Sequence, residues 1–582
     1  MPARQIPVRA VLRRPSLSPA DILVGAFMLA LLYAAVRLGR SMTVNFTPGH
    51  STEQISTDVS KLPYYAARSL VRMFIALFIS TVFTFVYGTA AARLPRAQKI
   101  MVPILDILQS IPILVFLPFS LAIFINLFSG SLLGVEAASI FVIFTSQAWN
   151  MTFSFYHSLI TQPIELDEAA RMYRLTKWQR FWKLDVPSSM IGLVWNAMMS
   201  MGGGWFFLTA SEAVTVFIHG KSTPIELPGI GSYMGAAVAE GSFGKVAIAI
   251  VAMVILVVGT NFVVFRPLVA WAEKYRVETS ASSDTPNSTV LNLLRRSSIP
   301  NALGYVSRPI GRLLDRVTRP FGLAEYPLAV DDRRRRTGDI FFWVVIGGLS
   351  AVSAFAGLTY LSSHVGFSHF PYYFGLGLGT FARVVILLIA STLIWVPVGV
   401  KIGMDPKLSR YAQPVVQVLA SFPAILLFPL ITLVFIDLHI SLSIGAILLM
   451  MLGAQWYILF NVIAGASSIP NDLREMGTNM QLSRRLRWRR IILPAIFPYY
   501  VTGGVTAAGG AWNASIVAEY VSWHHTTLHA VGLGNYIAIQ STLSGKTAQL
   551  LGAGLVMSIF VVVVNRVFWR RLYRLAESRY SL

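Results

Sequence analysis

Two polar stretches of equal length interrupt an otherwise apolar chain, and they decide its fold. Residues 163–187 read PIELDEAARMYRLTKWQRFWKLDVP, and residues 470–494 read PNDLREMGTNMQLSRRLRWRRIILP. Each stretch begins and ends with proline and carries a glutamate, Glu168 or Glu475, at the same distance from its first proline. A small residue follows, and a basic segment containing tryptophan runs to the closing proline. The shared layout indicates that one structural unit occurs twice in the chain.

The composition is that of a membrane protein. Of the 582 residues, 55% are hydrophobic and only 13% are charged, which is about half the charged fraction of a soluble domain. Apolar runs of about 20 residues recur, and each can cross a bilayer as a helix. The chain has no cysteine, which excludes disulfides, thiolate metal sites and cysteine nucleophiles. The net charge of +22 is concentrated in particular loops, as expected of cytoplasmic loops and not of a nucleic-acid-binding protein.

The apolar runs predict an all-α polytopic membrane protein with about twelve transmembrane helices. Basic residues in the intervening loops place both termini in the cytoplasm. The predicted spans are 22–38, 64–92, 101–127, 135–157, 189–218 and 243–265 in the first half, and 340–361, 373–400, 411–436, 440–463, 495–521 and 547–569 in the second.

The two halves also match residue by residue, at fixed offsets along the chain. The matched pairs include Pro103 and Pro414, Pro112 and Pro423, Trp149 and Trp456, Gly203 and Gly510, and Glu212 and Glu519. Because each half has an even number of spans, the two six-helix repeats are parallel and related by an axis along the membrane normal. This arrangement predicts a single pathway at the interface of the halves.

The repeat divides the chain into five segments. The linker is basic, contains a Ser/Thr/Asn-rich patch, and is predicted to be a flexible cytoplasmic tether. The segments are a cytoplasmic N-terminal arm (1–21), the first repeat (22–265), the linker (266–338), the second repeat (339–569) and a cytoplasmic C-terminal tail (570–582).

The two polar stretches are predicted to dock onto a soluble partner at the cytoplasmic surface. An ordinary loop would not keep its length, terminal prolines, acidic residue and small residue through both halves. The acidic residue can meet a cationic or polar groove, and the small residues permit close contact between backbones. The predicted docking residues are Glu168, Ala169, Ala170 and Arg171 in the first copy, and Glu475, Met476 and Gly477 in the second.

Two further groups are candidates for the pathway or its gate. An intramembrane carboxylate is a functional candidate by default, which singles out Glu212 and Glu519. The alternative is that each pairs with a polar neighbour such as Thr209, Ser211 or Asn513 and holds two helices together. A second group of small and aromatic residues either packs helices closely or lines the pathway. It consists of Gly202, Gly203, Gly204, Trp205, Gly509, Gly510 and Trp512.

Residues 544–547 read SGKT, like the end of a phosphate-binding P-loop. The P-loop also requires a glycine where this chain has Gln540, and no strand pattern precedes it. The chain is therefore predicted to have no ATP site, catalytic residue, metal or cofactor of its own. Energy is then expected to come from another subunit.

The polar stretches resemble the EAA loops of ABC importer permeases, whose pattern is roughly Glu-Ala-Ala, then glycine, then a closing Ile-x-Leu-Pro. Glu168-Ala169-Ala170 matches the beginning directly, and the second copy ends in Ile492-Leu493-Pro494. The second copy departs from the pattern with Glu475-Met476-Gly477. Both copies lack the family glycine, which is replaced by Arg174 and Gln481.

Apart from the arm and the linker, the chain resembles the duplicated, single-chain permeases of the nitrate, sulfonate and taurine branch. The resemblance implies a type I ABC importer-like fold in the bacterial inner membrane. It implies two separate ABC ATPase subunits that use ATP and magnesium, an external solute-binding protein, and a small anion such as nitrate, a sulfonate or bicarbonate as the substrate. The open alternatives are an importer permease for a non-anionic solute, a twelve-helix secondary transporter, and a membrane scaffold or signalling subunit.

Overall fold

The computed structural model describes residues 18–45, 55–109, 111–218, 221–275, 288–318, 332–541 and 546–579. Most of the predicted N-terminal arm and the first two residues of the P-loop-like motif, Ser544 and Gly545, lie outside these ranges. The described residues form two compact units. The smaller unit comprises the described parts of Met1–Arg40, Thr161–Val194 and Thr260–Tyr326, and the larger those of Ser41–Ile160, Trp195–Gly259 and Pro327–Leu582.

Before residue 319, the described residues form helices and one β-hairpin, joined by turns and loops. Its helices are α1 (Pro19–Ser41), α2 (Leu62–Arg93), α3 (Pro95–Leu108), α4 (Leu117–Leu127), α5 (Leu133–Ile160), α6 (Ile164–Met172), α7 (Lys177–Arg180), α8 (Val186–Glu212), α9 (Ile230–Ala239), α10 (Phe243–Thr260), α11 (Arg266–Ala272), α12 (Thr289–Arg296) and α13 (Ile299–Thr318). The hairpin pairs β1 (Ala213–Ile218) with β2 (Lys221–Glu226) in antiparallel fashion.

The rest of the chain repeats this order of elements. Its helices are α14 (Asp332–His364), α15 (Phe370–Met404), α16 (Pro406–Ser421), α17 (Phe428–Asp437), α18 (Leu442–Ser467), α19 (Asn471–Asn479), α20 (Arg484–Arg487), α21 (Leu493–Ala518), α22 (Leu533–Ile539), α23 (Thr547–Val564) and α24 (Arg570–Arg579). The hairpin of β3 (Tyr520–Trp523) and β4 (Thr526–His529) is again antiparallel. Elements α15 to α23 correspond in order to α2 to α10, so the predicted duplication is confirmed.

Nine of the described helical segments are long and apolar enough to cross a bilayer, or eleven if each of two bent helix pairs forms one span. About twelve spans were predicted, and the difference is the predicted span 135–157. It corresponds to α5, which carries polar side chains such as Glu136 and Gln147 in its buried interior. These residues lower its apolarity but suit a helix that is covered by protein.

The predicted spans 101–127 and 411–436 are not single kinked helices. The axes bend by 94° between α3 and the segment Ile113–Leu127, and by 78° between α16 and the segment Ala424–Asp437. The backbones of Pro112 and Pro423 are extended at these breaks. Proline lacks an amide hydrogen and disfavours helical backbone in the residue before it, so a second helix must restart beyond the break.

Two other predictions are corrected by the structure. The predicted spans 189–218 and 495–521 end early, because α8 stops at Glu212 and α21 at Ala518, and the chain continues as hairpins. The alternating valines of AVTVFI favour a strand at this point.

The linker is not simply a tether, since α11, α12 and α13 occupy much of its described length.

The core of the larger unit forms where α18 packs between α15 and α21. Leu387, Leu449 and Ala507 contribute to one continuous cluster and have no exposed surface. Gly403 allows a close approach, because an added Cβ would lie 2.6 Å from the carbonyl oxygen of Ile463. Small residues at such crossings are how membrane helices gain packing contact.

Candidate coupling loops and buried charge clusters

In the smaller unit, the first polar stretch folds as the short helix α6 after Pro163. Asp167 lies in its first turn, where a negative charge interacts favourably with the positive end of the helix dipole. Arg171 donates a hydrogen bond of 2.7 Å to Asp167, and Arg180 also pairs with it. Burial alone would raise the pKa of the Asp167 carboxyl, but these two arginines hold the pKa below its ordinary value. The ion pairs therefore persist at neutral pH and weaken only in acid.

The predicted docking residues of this loop divide into exposed and buried groups. Glu168 and Arg171 are exposed, and Ala169 is half-buried. Beyond them, Met172 and Tyr173 are also exposed, at 85% and 80%. Ala170 is 3% exposed, so its small side chain lies beneath the surface of the loop.

In the larger unit, the second polar stretch folds in the same way as α19. Glu475 and Met476 are exposed, and Gly477 is buried like its equivalent Ala170. An added Cβ at Gly477 would lie 2.9 Å from the Cδ1 atom of Ile491, which explains the small residue. In place of Asp167 this loop has Arg474, which donates to the backbone carbonyls of Met404 (3.3 Å) and Ala466 (2.8 Å).

Both loops reverse direction through a residue with left-handed backbone. Arg174 has a φ of 46° and Gln481 a φ of 50°. These are the two positions where the EAA pattern has glycine, the residue that adopts this conformation at least cost. The next amide closes the turn, since Leu175 donates to Ala170 (3.1 Å) and Leu482 to Gly477 (3.2 Å).

Each loop then restarts as a capped helical turn. In the first copy, the Thr176 hydroxyl accepts from the Gln179 amide, and the Gln179 side chain accepts from the Thr176 amide. In the second, the Ser483 hydroxyl accepts from the Leu486 amide at 3.4 Å. Such caps satisfy amides that the first turn leaves unpaired. The two loops thus share their backbone course from the opening proline to the closing one.

The larger unit also contains a buried charge cluster where α2, α5 and α8 meet. Arg72 donates to Glu136 at 2.5 and 2.8 Å and to Glu212 at 2.8 Å. Arg68 also pairs with Glu136. All four side chains are at most 1% exposed, so two positive and two negative charges balance away from water. We call these residues the first charge cluster.

The first charge cluster fastens the chain segment that follows the β1–β2 hairpin. Glu212 accepts hydrogen bonds from the Gly231 amide (2.8 Å) and the Ser69 hydroxyl (2.6 Å). The Ser69 oxygen in turn accepts from the Ile230 amide at 3.1 Å. The start of α9 is therefore joined to both α2 and α8.

A second charge cluster, Arg383 and Glu519, occupies the equivalent place in the other half. Arg383 donates to Glu519 at 2.9 Å, and the Thr380 hydroxyl donates to it at 3.1 Å. The Asn535 amide donates to Glu519 at 3.1 Å, and the Leu533 amide donates to Thr380 at 2.9 Å. Glu519 has no exposed surface, so it too is a buried fastening for the start of a helix, here α22.

Glycine is required beside both clusters by close approach. An added Cβ at Gly229 would lie 2.2 Å from the carboxyl carbon of Glu212, and one at Gly532 would lie 2.2 Å from a carboxyl oxygen of Glu519. Both glycines have extended backbone, with φ of −173° and −175°, which any residue can adopt. Glycine is therefore required here by the lack of room for a side chain and not by backbone strain.

The arginines of the clusters were not singled out from the sequence. Arg72 and Arg383 lie inside apolar spans and are separated by the same offset as Pro103 and Pro414. This offset also relates Ser69 to Thr380. A search of the repeat for matched charges within spans would have found the arginines. The predicted neighbours Thr209, Ser211 and Asn513 take no part in the hydrogen bonds described above for the Glu212 and Glu519 carboxylates.

The predicted pathway glycines include one symmetric pair. Gly203 on α8 and Gly510 on α21 both approach Tyr457 on α18. An added Cβ at Gly203 would lie 3.6 Å from the Tyr457 hydroxyl, and one at Gly510 would lie 3.5 Å from its ring. The structure therefore brings equivalent positions of the two halves to one tyrosine, which the sequence did not indicate.

The other glycines of this group have different surroundings in the two halves. An added Cβ at Gly202 would lie 2.7 Å from the Ser421 hydroxyl, and one at Gly204 would lie 3.1 Å from the Met73 sulfur. No described atom lies within 4 Å of an added Cβ at Gly509. Gly202 and Gly204 thus allow close packing of neighbouring side chains, whereas the described surroundings of Gly509 leave room for a larger residue.

The two tryptophans of this group are core residues. Trp205 is 2% exposed and Trp512 is 1% exposed. Trp512 stacks on Phe381 with ring centroids 6.4 Å apart, and its ring also lies 6.0 Å from that of Phe560. Both rings are therefore covered by protein.

A family-model comparison finds two matching regions in the chain. The family is described as "Binding-protein-dependent transport system inner membrane component", and it matches residues 84–266 and again 394–581. The two matches together cover more than half of the chain. The chain belongs to this family. Each copy of the family domain contains one polar loop and one of the cluster glutamates, Glu212 or Glu519, so the duplicated membrane component is built into a single chain.

Curated relatives of this membrane component include transport permeases of three kinds. The nitrate import permease protein NrtB of Synechococcus elongatus is 32% identical over 148 residues, 25% of this chain and 52% of that protein. The bicarbonate transport system permease protein CmpB of the same species is 28% identical over 131 residues, 22% of this chain and 46% of that protein. The taurine transport system permease protein TauC of Escherichia coli is 24% identical over 143 residues, 24% of this chain and 50% of that protein. The chain thus spans about half the length of these relatives.

Proposed function

We propose that the chain is the membrane permease of an ATP-driven importer for a small anion. The observation that carries this proposal is the pair of loops with one backbone course, each lying within its own copy of the family domain. Two matched docking surfaces on one chain suit two ATPase subunits. The relatives named for nitrate, bicarbonate and taurine transport favour an anionic substrate.

In this proposal the loops convert ATPase movement into a change of access. ATP, with magnesium, binds and is hydrolysed in the two partner subunits and not in this chain. Closure of the ATPases would bring the loops together and open the pathway outward, and hydrolysis would reset it. Such a cycle works only if the ATPases bind the two states of the permease with different affinity. An external solute-binding protein would deliver the anion at the opposite membrane face.

The docking roles fall on the exposed residues of the loops. Glu168 and Glu475, with Arg171 and Met476 beside them, would contact the ATPases directly. Ala170 and Gly477 are buried. Their proposed role is to keep the loop compact, and Ala169 would contribute through its half-buried edge. The bacterial inner membrane, with both loops and both termini in the cytoplasm, is the location that follows.

The pathway is proposed to pass between Gly203 and Gly510, beside Tyr457. The two glycines are equivalent in the repeat, which supports a pathway along the pseudo-two-fold axis. The tyrosine hydroxyl is a neutral hydrogen-bond donor, which can hold an anion without trapping it as a positive charge would. In this scheme Glu212 and Glu519 act on the gate indirectly, by fastening the starts of α9 and α22.

Reconstitution tests the proposed function. The chain is co-purified with its ATPases and solute-binding protein and placed in proteoliposomes, and uptake of labelled nitrate, bicarbonate and taurine is measured with and without ATP. We expect uptake of an anion that requires ATP and persists when ion gradients are collapsed. Uptake that follows an ion gradient and ignores ATP would instead support a secondary transporter.

The pathway is tested in the same vesicles with Tyr457→Phe, which removes one hydroxyl and little else. We expect a changed preference among the anions with an unchanged amount of bound ATPase. Leu448→Ala on the exposed side of the same helix is the control and should leave the preference as it is. An unchanged preference in Tyr457→Phe would exclude this tyrosine from the pathway.

A further inference from the structure

The linker helices α12 and α13 are attached to the beginning of the first candidate membrane span. Asp21, in the first turn of α1, accepts hydrogen bonds from the Ser297 hydroxyl (2.9 Å), the Ser298 amide (2.6 Å) and the Ser298 hydroxyl (2.9 Å). The Asp21 side chain is nearly covered, at 5% exposure. Helix α1 begins at Pro19, so Asp21 lies at the end of this candidate span. The contact therefore holds the start of α13 at the same depth as that end of the span. The surface of a bilayer lies at that level.

The far end of α13 exposes apolar side chains on one face. Leu313 is 60% exposed, Val317 is 59% exposed, and Leu314 is 37% exposed. Positions separated by four residues lie on the same side of a helix, so Leu313 and Val317 form a row with Leu314 at its edge. An exposed row of this kind is unusual for a helix that faces only water.

Arginines flank the apolar row. Arg312 and Arg316 are exposed on the neighbouring face of α13, and Arg295 and Arg296 are exposed at the end of α12. Asp315 is the only acidic residue in either helix. A helix that combines an apolar face with arginines on its polar side is typical of helices that lie in a membrane interface.

We propose that α12 and α13 lie on an anionic bilayer surface, with Leu313 and Val317 in the acyl boundary and the arginines on lipid phosphates. Charge complementarity and the attachment to α1 favour lipid over a protein partner. Anionic lipids attract clusters of arginine near a membrane span. This inference is independent of what the chain transports, since it concerns only where the linker lies.

The absence of cysteine from the chain allows a direct test with single labels. Leu313→Cys carries an environment-sensitive fluorophore on the apolar row. Gly311→Cys carries it on the opposite side, where an added Cβ meets no described atom within 4 Å. The full chain is placed in nanodiscs of phosphatidylcholine with or without phosphatidylglycerol. Quenching by nitroxide lipids and by aqueous iodide is then measured.

We expect the label at position 313 to be quenched by nitroxide lipids and protected from iodide, most strongly with phosphatidylglycerol present. The label at position 311 should show the reverse. Equal iodide quenching at both positions in phosphatidylglycerol would overturn the proposal. Protection of position 313 from both quenchers would also overturn it, because a protein partner or a second copy would then cover the row.

Charge variants separate lipid binding from a purely apolar contact. With the label at position 313, the pair Arg312→Gln and Arg316→Gln should lower lipid quenching roughly twofold in phosphatidylglycerol discs. The matched pair Arg312→Lys and Arg316→Lys keeps the charges and should retain the quenching. No difference between the two pairs would contradict a role for anionic headgroups.

Discussion

The first and second charge clusters both fasten the start of a short helix, but they contain different numbers of charged residues. Both use an arginine, a hydroxyl residue and a buried glutamate to fasten the start of a short helix. The first half adds Arg68 and Glu136, where the second half has Gly379 and Ser443 at the equivalent positions. Arg383 instead donates to the backbone carbonyl of Ser443 at 3.0 Å.

This difference shows which part of the cluster the fold requires. The arginine, hydroxyl and glutamate are present in both halves, so they are the minimum that fastens the helix. The extra pair adds one positive and one negative charge together, and the cluster stays neutral. A single extra charge at this depth would be expensive, because neither solvent nor a partner would compensate it.

The largest effect should come from removing the shared arginine. Arg72→Gln is expected to destabilise the protein by ~3–5 kcal/mol, because it leaves a buried carboxylate without its partner. Arg383→Gln should cost less, because Arg383 pairs with one carboxylate where Arg72 joins two. Unfolding in mild detergent measures both, with the exposed Arg571→Gln as the control. Equal stability of Arg72→Gln and the control would show that the cluster is not a fastening.

Filling the space beside the glutamates should cost less and should not differ between the halves. Gly229→Ala and Gly532→Ala each place a methyl group within 2.2 Å of a carboxylate atom, which should destabilise by ~1–3 kcal/mol. Gly244→Ala is the control, since its Cβ meets no described atom within 4 Å. If only one of the two substitutions is harmful in the same unfolding assay, the clusters are not equivalent.

Substituting glycine into the two polar loops should have a smaller effect of opposite sign, namely an increase in stability. Arg174→Gly and Gln481→Gly should each stabilise by about 1 kcal/mol, because glycine adopts left-handed backbone without the cost borne by other residues. Arg174→Ala keeps a Cβ and should give no gain. Loop stability can be followed by limited proteolysis. A gain from alanine equal to that from glycine would assign the effect to the lost arginine side chain.

The smallest net effect is expected when the first cluster is converted to the composition of the second. Arg68→Gly and Glu136→Ser together should change stability far less than either substitution alone, because the pair leaves no charge uncompensated. The singles and the double are compared in one thermodynamic cycle. A double variant as unstable as the sum of the singles would mean that the extra pair is required by the fold.

Much of the architecture was predictable because the chain repeats itself. Apolar length identified the spans, and the matched prolines and glycines revealed the duplication. The breaks near Pro112 and Pro423 were not foreseen, because proline in a membrane helix can either bend it or end it. The hairpins were missed for a similar reason, since Val214 and Val216 extend an apolar run that length alone assigns to helix.

The local fold of the polar loops was predictable because their residues are neighbours along the chain. The loop residues around Glu168 lie together in sequence and fold together. Glu212 was found as an isolated acid, but its partners Arg72 and Ser69 lie far away in the chain. A long-range contact of this kind leaves no local pattern, and only a search for matched charges in the repeat could have indicated it.

Cysteine protection can show whether the two loops are the docking surfaces for ATPase subunits. Tyr173→Cys and Met480→Cys occupy equivalent exposed positions in the two loops, and Val531→Cys is an exposed control outside them. Their labelling rates with a water-soluble maleimide are measured with and without the bound ATPases. We expect both loop cysteines to be protected in the complex, whereas position 531 should be labelled at the same rate with and without the ATPases. Undiminished labelling of both loop cysteines in the intact complex would contradict this expectation.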